Sequence, residues 1–198
     1  MFKRLLDIIL AILGLICFSP IFILCSIMIY FGSPGPIFFR QERLGKDGKT
    51  FKMVKFRTMV KNAEKIVRND PELYNLYKKQ YKIPEEQNSL MTPWGKIMRK
   101  TSMDELPQLF NILKGNMSIV GPRPIVPEEI VEYGAHGPKF LSVKPGLTGH
   151  WQVSGRNLVG YPQRVFLDMY YIDHQSFWLD LQIILKTFPV VLKMRGTH

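Results

Sequence analysis

Residues 8 to 31, IILAILGLICFSPIFILCSIMIYF, carry no charged side chain. No other stretch restricts the fold so strongly. As one helix rising about 1.5 Å per residue they would reach about 36 Å, enough to cross a bilayer. A cleaved signal peptide fits poorly, because the run is too long and no small-residue cleavage site follows. Ser19-Pro20 sits mid-run, where proline breaks or kinks a helix and a serine can cover the freed backbone groups. Both flanks are basic, with Lys3 and Arg4 before and Arg40, Arg43, Lys46 and Lys49 after. A spanning helix normally shows a Lys/Arg asymmetry instead. The residues alone leave two readings open: a kinked span, or a helix-break-helix that dips in and returns, broken at Ser19 and Pro20. Cys17 and Cys25 fall in this run and read as apolar packing residues rather than a disulfide or metal site.

The remaining residues, within a total of 198, suffice for one domain's core. A net charge of +11 and a pI of about 9.7 point to anionic partners: nucleic acid, acidic headgroups or phosphorylated substrates. The four histidines show no metal-ligand spacing, so a zinc site is not expected. Beyond the turn-rich Gly32-Ser33-Pro34-Gly35-Pro36, residues 37–45 and 50–59 read as two strands joined at Lys46-Asp47-Gly48-Lys49. From Arg40 to Lys61, eight basic residues face two acidic ones, as on a solvated face near headgroups. Within that stretch Lys55 and Arg57 alternate to one side of the second strand with Met53, and Phe56 points the other way.

Two helical segments are expected over 60–88, divided at Asn69-Asp70-Pro71 with Asp70 as cap. Tyr74, Tyr77 and Tyr81 share a face, with Lys78, Lys79 and Lys82 nearby, and need no chemistry. Thr92-Pro93 opens a short helix ending in Arg99 and Lys100, and Pro127 opens another. Residues 136–156 read as a glycine- and proline-rich binding loop, with a plain connector as the alternative. A helix over Pro162–Asp173 carries Asp168. The apolar segment from Phe177 to Lys193 fits either a membrane interface or a soluble core. The fold class expected is α+β, mostly helical with a small β-hairpin.

Residues 101–124, TSMDELPQLFNILKGNMSIVGPRP, concentrate the chemistry. Leu106, Leu109, Phe110 and Leu113 recur at helical spacing before Lys114-Gly115. A start at Asp104 is preferred over a Ser102–Glu105 capping box, because it keeps Pro107 in the first turn. Asp104 and Glu105 then sit at the positive helix end, which lowers their pKa. Neighbours on a helix point about 100° apart, so this pair cannot flank a glycosidic bond as opposed carboxylates must. They can divide labour: one attacks or takes a proton, the other holds a divalent cation. The plainer reading is helix capping. Against it stands the stiff Gly121-Pro122-Arg123-Pro124 loop, whose guanidinium suits two-point phosphate binding.

Lys55-Phe56-Arg57-Thr58-Met59, Asp104-Glu105-Leu106-Pro107-Gln108, Gly121-Pro122-Arg123-Pro124 and Lys144-Pro-Gly-Leu-Thr-Gly149, in this order, resemble the signature of the bacterial sugar transferases. These are monotopic phosphoglycosyl transferases, and the resemblance covers nearly the whole chain. It implies a monotopic membrane enzyme with residues 1–31 as a re-entrant hydrophobic hairpin and 32–198 as a catalytic domain. The domain would face the cytoplasm at a bacterial inner membrane whose anionic leaflet the basic flanks contact. The implied reaction moves a sugar 1-phosphate from a UDP-sugar to undecaprenyl phosphate and releases UMP, the first membrane step of exopolysaccharide or glycoconjugate assembly. Asp104 would be the nucleophile, forming an acyl-phosphate. Glu105, with Asp104, would hold Mg²⁺, whose preference is for hard oxygen ligands. Arg123 would clamp phosphate, with Lys55, Arg57, Arg99 and Asp168 as further phosphate or metal-supporting candidates.

The competing class is non-enzymatic: a membrane-anchored basic module for anionic lipid or glycan. It leaves an acidic pair inside a basic surface unexplained. Nucleic-acid binding is disfavoured by the apolar run and the lack of a recognised module. The sugar and the oligomeric state, including a homo-oligomer, are left open by the sequence.

Overall fold

The computed structural model describes residues 2–81, 83–84, 87–155 and 158–192. Lys82, Arg156 and Lys193, drawn into the segments above, lie outside them. Helix α1 (Phe2–Cys17) and helix α2 (Ser19–Gly32) are bent by 61° at their junction. Pro20 falls in the first turn of α2, where its missing N–H costs nothing. The Ser19 hydroxyl donates to the Ile16 carbonyl at 2.8 Å, covering one acceptor at the break. Among the described residues no single helix is long and apolar enough to cross a membrane; only the bent pair together reaches that length.

Strand β1 (Phe38–Leu44) and strand β2 (Thr50–Phe56) form the expected antiparallel hairpin, in register from Phe38 opposite Phe56 to Leu44 opposite Thr50. Asp47 and Gly48 supply the positive φ angles of its turn, 58° and 72°. Helices α3 (Ala63–Asn69) and α4 (Pro71–Gln80) divide where expected, and the Asp70 carboxylate accepts from the Glu72 and Leu73 N–H groups. Helix α5 (Pro93–Lys100) is capped by Thr92, whose hydroxyl accepts from Gly95 N–H at 3.0 Å.

The central stretch departs from expectation. A 3₁₀ turn covers Met103–Glu105, and the α-helix begins only at Gln108, as α6 (Gln108–Leu113) with Pro107 as its N-cap. Proline cannot donate within an α-helical ladder and its ring clashes with the carbonyl four residues back, so the chain passes Pro107 on i→i+3 bonds. Leu106 N–H reaches Met103 O and Phe110 N–H reaches Pro107 O. The buried face of α6 is also not the apolar stripe: Gln108, Leu109, Asn111 and Ile112 are buried, while Phe110 is exposed.

Residues 136–155 of the expected loop are more ordered than a loop. Strand β3 (Ser118–Val120) is followed by 3₁₀ turns over Pro127–His136, helix α7 (Gly137–Phe140), strand β4 (Gly146–Thr148) and helix α8 (His150–Val153). β3 and β4 pair in parallel, Ser118 opposite Gly146 and Val120 opposite Thr148. Pieces of three or four residues are too short to show a period. Helices α9 (Gln163–Asp173) and α10 (Phe177–Leu192) complete the α+β, mostly helical chain.

Both N-terminal helices enter the core. Ala11 of α1 is buried among Phe51, Met53, Leu109, Ile112 and Met117. Cys25 and Ile29 of α2 pack on Phe56 and Met98. Cys17, expected to pack, is exposed instead. The basic N-terminal flank is drawn to protein: Lys3 pairs with Asp180, and Arg4 donates to the carbonyls of Ile112 at 2.5 Å and Leu113 at 2.9 Å. α10 buries Ile183 in the core, while Phe177, Trp178, Leu185 and Phe188 are exposed.

Asp7 ties α1 to β3. Its buried carboxylate accepts from the Ser118 hydroxyl and from Ile119 N–H, both at 2.9 Å. Asp7→Ala strands both donors away from water, at a cost of about 1–3 kcal/mol. For a chain of this length that lowers the thermal unfolding midpoint by about 2–4 °C per kcal/mol. An unchanged midpoint would show that this contact does not hold α1 in place.

Candidate active site

The site is assembled from three elements that meet below β2. Asn111 of α6 fastens the first join: its Oδ1 accepts from Val54 N–H at 2.9 Å and its Nδ2 donates to Lys52 O at 2.8 Å. An edge strand's backbone groups need partners, and this amide supplies two of them in fixed register. Lys55, one residue on from Val54, is thereby brought over the 3₁₀ turn that carries Asp104 and Glu105. Its ammonium sits 2.7 Å from Glu105 Oε1.

The second join brings two motifs together. Gly121 N–H donates to Thr148 O, and Gly146 N–H to Pro122 O. Contact is so close that a Cβ on Gly146 would lie 2.1 Å from Gly121 N, and one on Gly121 2.5 Å from Lys144 O. Only glycine allows it. The Gly121–Pro124 and Lys144–Gly149 stretches are therefore one structural unit. Its Arg123 reaches the same Glu105 oxygen at 3.4 Å, and its guanidinium lies 5.8 Å from the Trp151 ring centre.

Behind Trp151 stands a buried charge network that the sequence did not reveal. The Arg164 guanidinium lies 4.6 Å from the Trp151 ring centre and donates to Glu129 Oε1 at 2.8 Å. Tyr161 donates to the same oxygen at 2.7 Å. Asp168 is 0 % exposed and accepts from the Tyr133 hydroxyl at 2.7 Å, with Arg164 Nε at 3.9 Å. Burial raises the Asp168 carboxyl to about 6, against the pull of Arg164. Asp168 thus supports Arg164 and does not line the reaction cavity.

That cavity, of about 1380 Å³, is lined by Lys55, Arg99, Asp104, Glu105 and Arg123. Arg99 is held by its Nε bond to Thr58 Oγ1 at 3.2 Å. Arg57 is not part of it: the strand ends at Phe56, and the Arg57 guanidinium turns to the Ser33 and Pro34 carbonyls at 2.5 and 2.7 Å. Arg57 therefore locks the end of α2 to the hairpin. Tyr77 and Tyr81, assigned no chemistry from the sequence, line the cavity with Arg43; nothing in their spacing could distinguish them from a surface stripe.

Asp104 reverses the expected shift. Loss of water raises its carboxyl to about 6, and Glu105 adds to the rise, while Lys55, Arg99 and Arg123 oppose it. The helix-end effect that should lower it is weak, because α6 begins four residues later and is six residues long. Burial in turn lowers the Lys55 pKa, opposed by Glu105 and Asp104. Among the described residues no three His, Cys, Asp or Glu side chains gather as a metal cage. Two adjacent carboxylates beside an open, cationic cavity do fit Mg²⁺, which usually takes one or two carboxylates and completes its shell with phosphate oxygens and water.

A sequence profile of the family described as "Bacterial sugar transferase" matches residues 1–194. The exopolysaccharide production protein ExoY of Sinorhizobium fredii is 42% identical, over 99% of this chain and 88% of its own length. The undecaprenyl-phosphate galactose phosphotransferase of Salmonella typhimurium is also 42% identical, over 99% of this chain and 41% of its own. A Klebsiella pneumoniae protein named UDP-glucose:undecaprenyl-phosphate glucose-1-phosphate transferase is 39% identical, over 94% of this chain and 39% of its own.

The raised Asp104 pKa has a stability consequence. Its folded value of about 6 lies above the ordinary 3.8, so the folded state binds this proton more tightly than the unfolded state. The charged carboxylate therefore disfavours folding above about pH 6 and ceases to do so as pH falls toward the unfolded value. In chelator-containing buffer at about pH 7.5, Asp104→Asn is expected to stabilise the fold by about 1–3 kcal/mol, with the gain shrinking at about pH 5. Thermal unfolding at both pH values checks this; a less stable variant at the higher pH would contradict it.

Proposed function

Because the chain belongs to the bacterial sugar transferase family and is a transferase, we propose that it moves a sugar 1-phosphate from a UDP-sugar to undecaprenyl phosphate. The observation that carries this reading is the buried Asp104 in a cavity whose cations, Lys55, Arg99 and Arg123, surround two adjacent carboxylates. The names of the Salmonella and Klebsiella relatives support the acceptor, and that of the Klebsiella relative supports a UDP-sugar donor.

In this mechanism a carboxylate oxygen of Asp104 attacks the phosphorus that carries the sugar. The bond from that phosphorus to the oxygen shared with UMP breaks, and UMP leaves with the electron pair. A phosphate oxygen of the acceptor then attacks the same phosphorus and breaks its bond to Asp104. The products are the sugar diphospholipid and a regenerated carboxylate. Burial strips water from Asp104, so its charge is met by fixed cations, which need no reorganisation as the reaction proceeds. Arg123 grips a phosphate oxygen, and Lys55 holds Glu105 in place beside Asp104. Glu105, with Asp104, would hold Mg²⁺, which when bound neutralises diphosphate charge and favours departure of UMP.

The reacting phosphate of a polyprenyl phosphate lies at headgroup level, so Asp104 must work close to that plane. We place α1 and α2 as a re-entrant hairpin in the cytoplasmic leaflet of the cell membrane. Their 61° bend and exposed apolar residues, among them Leu5, Ile12, Ile16, Ile23 and Phe31, support that placement.

Incubating the protein with UDP-sugar alone is expected to give a phosphosugar adduct on Asp104, visible by intact mass, with matching release of UMP. Asp104→Asn is expected to lose both, with transfer falling at least about a thousandfold. Glu105→Gln is expected to slow transfer and weaken its dependence on magnesium. Full transfer by Asp104→Asn would overturn the assignment of the nucleophile.

A further inference from the structure

The cavity that holds Asp104 has an apolar limb. Leu10 and Gly14 of α1, Phe18 at the α1–α2 junction, and Thr187, Phe188 and Val191 of α10 line it, in one volume with Lys55 and Arg123. The two helices are pinned together at their N-terminal ends, where the Phe2 and Phe177 rings lie 5.9 Å apart and Lys3 pairs with Asp180. The six lining residues lie further along the chain from those pinned ends. Their rim is exposed, at 37% for Leu10, 40% for Phe18 and 60% for Phe188, so the limb opens among the apolar side chains on the outside of α1 and α10.

Thr187 is the one polar side chain among the six, and its hydroxyl is engaged internally. It lies 2.7 Å from the Thr148 hydroxyl and 2.7 Å from the Ile183 carbonyl. These walls present no charge to a sugar or a nucleobase, and entry through an apolar rim would cost a polar ligand its hydration. An apolar chain gains about 0.8 kcal/mol for each CH₂ it buries there.

We propose that the limb between α1 and α10 receives the first isoprene units of the acceptor's polyprenyl chain and thereby delivers its phosphate to Asp104. This rests on the transfer reaction proposed above. A polyprenyl phosphate is a single branched apolar chain ending in a strong anion. The cavity presents the same sequence of environments: an apolar mouth, then Lys55, Arg99 and Arg123. A diacyl phospholipid carries two chains on a bulky glycerol headgroup, which one limb leading to a buried carboxylate does not match. The limb thus selects the acceptor by shape as well as charge, and it does so before chemistry begins.

The test uses the full chain in nanodiscs. A photoreactive farnesyl phosphate analogue is expected to label peptides of α1 and α10 that carry the limb residues. Undecaprenyl phosphate should compete for that label, and dioleoyl phosphatidic acid should not. Labelling spread over the outer faces, or equal competition by phosphatidic acid, would overturn the proposal, the latter by making the occupant an ordinary membrane acyl chain. In transfer assays the apparent KM is expected to fall from dimethylallyl phosphate to farnesyl phosphate. Leu10→Trp and Val191→Trp should each reduce that gain about tenfold; an unchanged KM ratio in both would also overturn it. UMP release from UDP-glucose or UDP-galactose without acceptor reports the Asp104 step separately. Its absence in the unaltered protein would count against the transfer reaction, whereas the labelling pattern judges the limb.

Discussion

The structure depends on keeping a carboxylate charged where there is little water to solvate it. Burial alone would hold Asp104 neutral, and a neutral carboxyl is a poor nucleophile. Three cations oppose that tendency, each fixed by a different part of the chain: Lys55 on β2, Arg99 on α5 and Arg123 on the Gly121–Pro124 loop. None is left to find its own position. Asn111 sets the register of β2, Thr58 holds Arg99, and Gly121 and Gly146 press their backbones together to aim Arg123. A buried carboxylate whose charge is restored by positioned cations is both costly to the fold and useful to chemistry.

Beyond this centre the charges alternate in layers. Glu105 shares one oxygen between Lys55 and Arg123. Arg123 lies near the Trp151 ring, and Arg164 lies over that ring in turn. Arg164 is then balanced by Glu129 and Asp168. A lone guanidinium at Arg164 would be prohibitively costly to bury, and so would either carboxylate. This layer therefore has a clear physical role: Arg164 and Glu129, which also line the cavity, fix the aromatic ring beside Arg123.

Much of the arrangement was legible in sequence because its signals are local. The Ser19-Pro20 break, the Asp47-Gly48 turn, and the Asp70 and Thr92 caps act within a few residues, and each appears where it was read. Asp104, Glu105, Lys55, Arg99 and Arg123 meet in one cavity as expected. What was hidden depends on distant partners. Arg57 alternates correctly with Lys55, but the strand ends one residue earlier and Arg57 turns away. Asp168 looks like any acidic residue on a helix until Tyr133 and Arg164 are seen around it. The parallel β3–β4 pair is three residues long on each side, and buried Asn111 breaks the apolar pattern that would have oriented α6. The Asp104 shift runs opposite to the sequence expectation for the same reason: helix position is local, but burial is not.

The uncharged N-terminal run looks uniform in sequence, yet α1 has three distinct faces. Asp7 and Ala11, four residues apart, turn to the core and are buried. Leu10 and Gly14 repeat at the same spacing, rotated about the helix, and line the cavity together with Phe18 just beyond its end. Ile9, Leu13 and Ile16 lie exposed on the outside. One short helix therefore contacts the protein core, the reaction cavity and the apolar exterior at once. Because Asp7 and Arg4 fasten it to β3 and α6, it cannot tilt without carrying those elements along. α6 in turn grips β2 through Asn111, which sets the position of Lys55. The position of α1 is thereby coupled, through hydrogen bonds and ion pairs, to the position of Lys55 and of the Glu105 carboxylate beside Asp104.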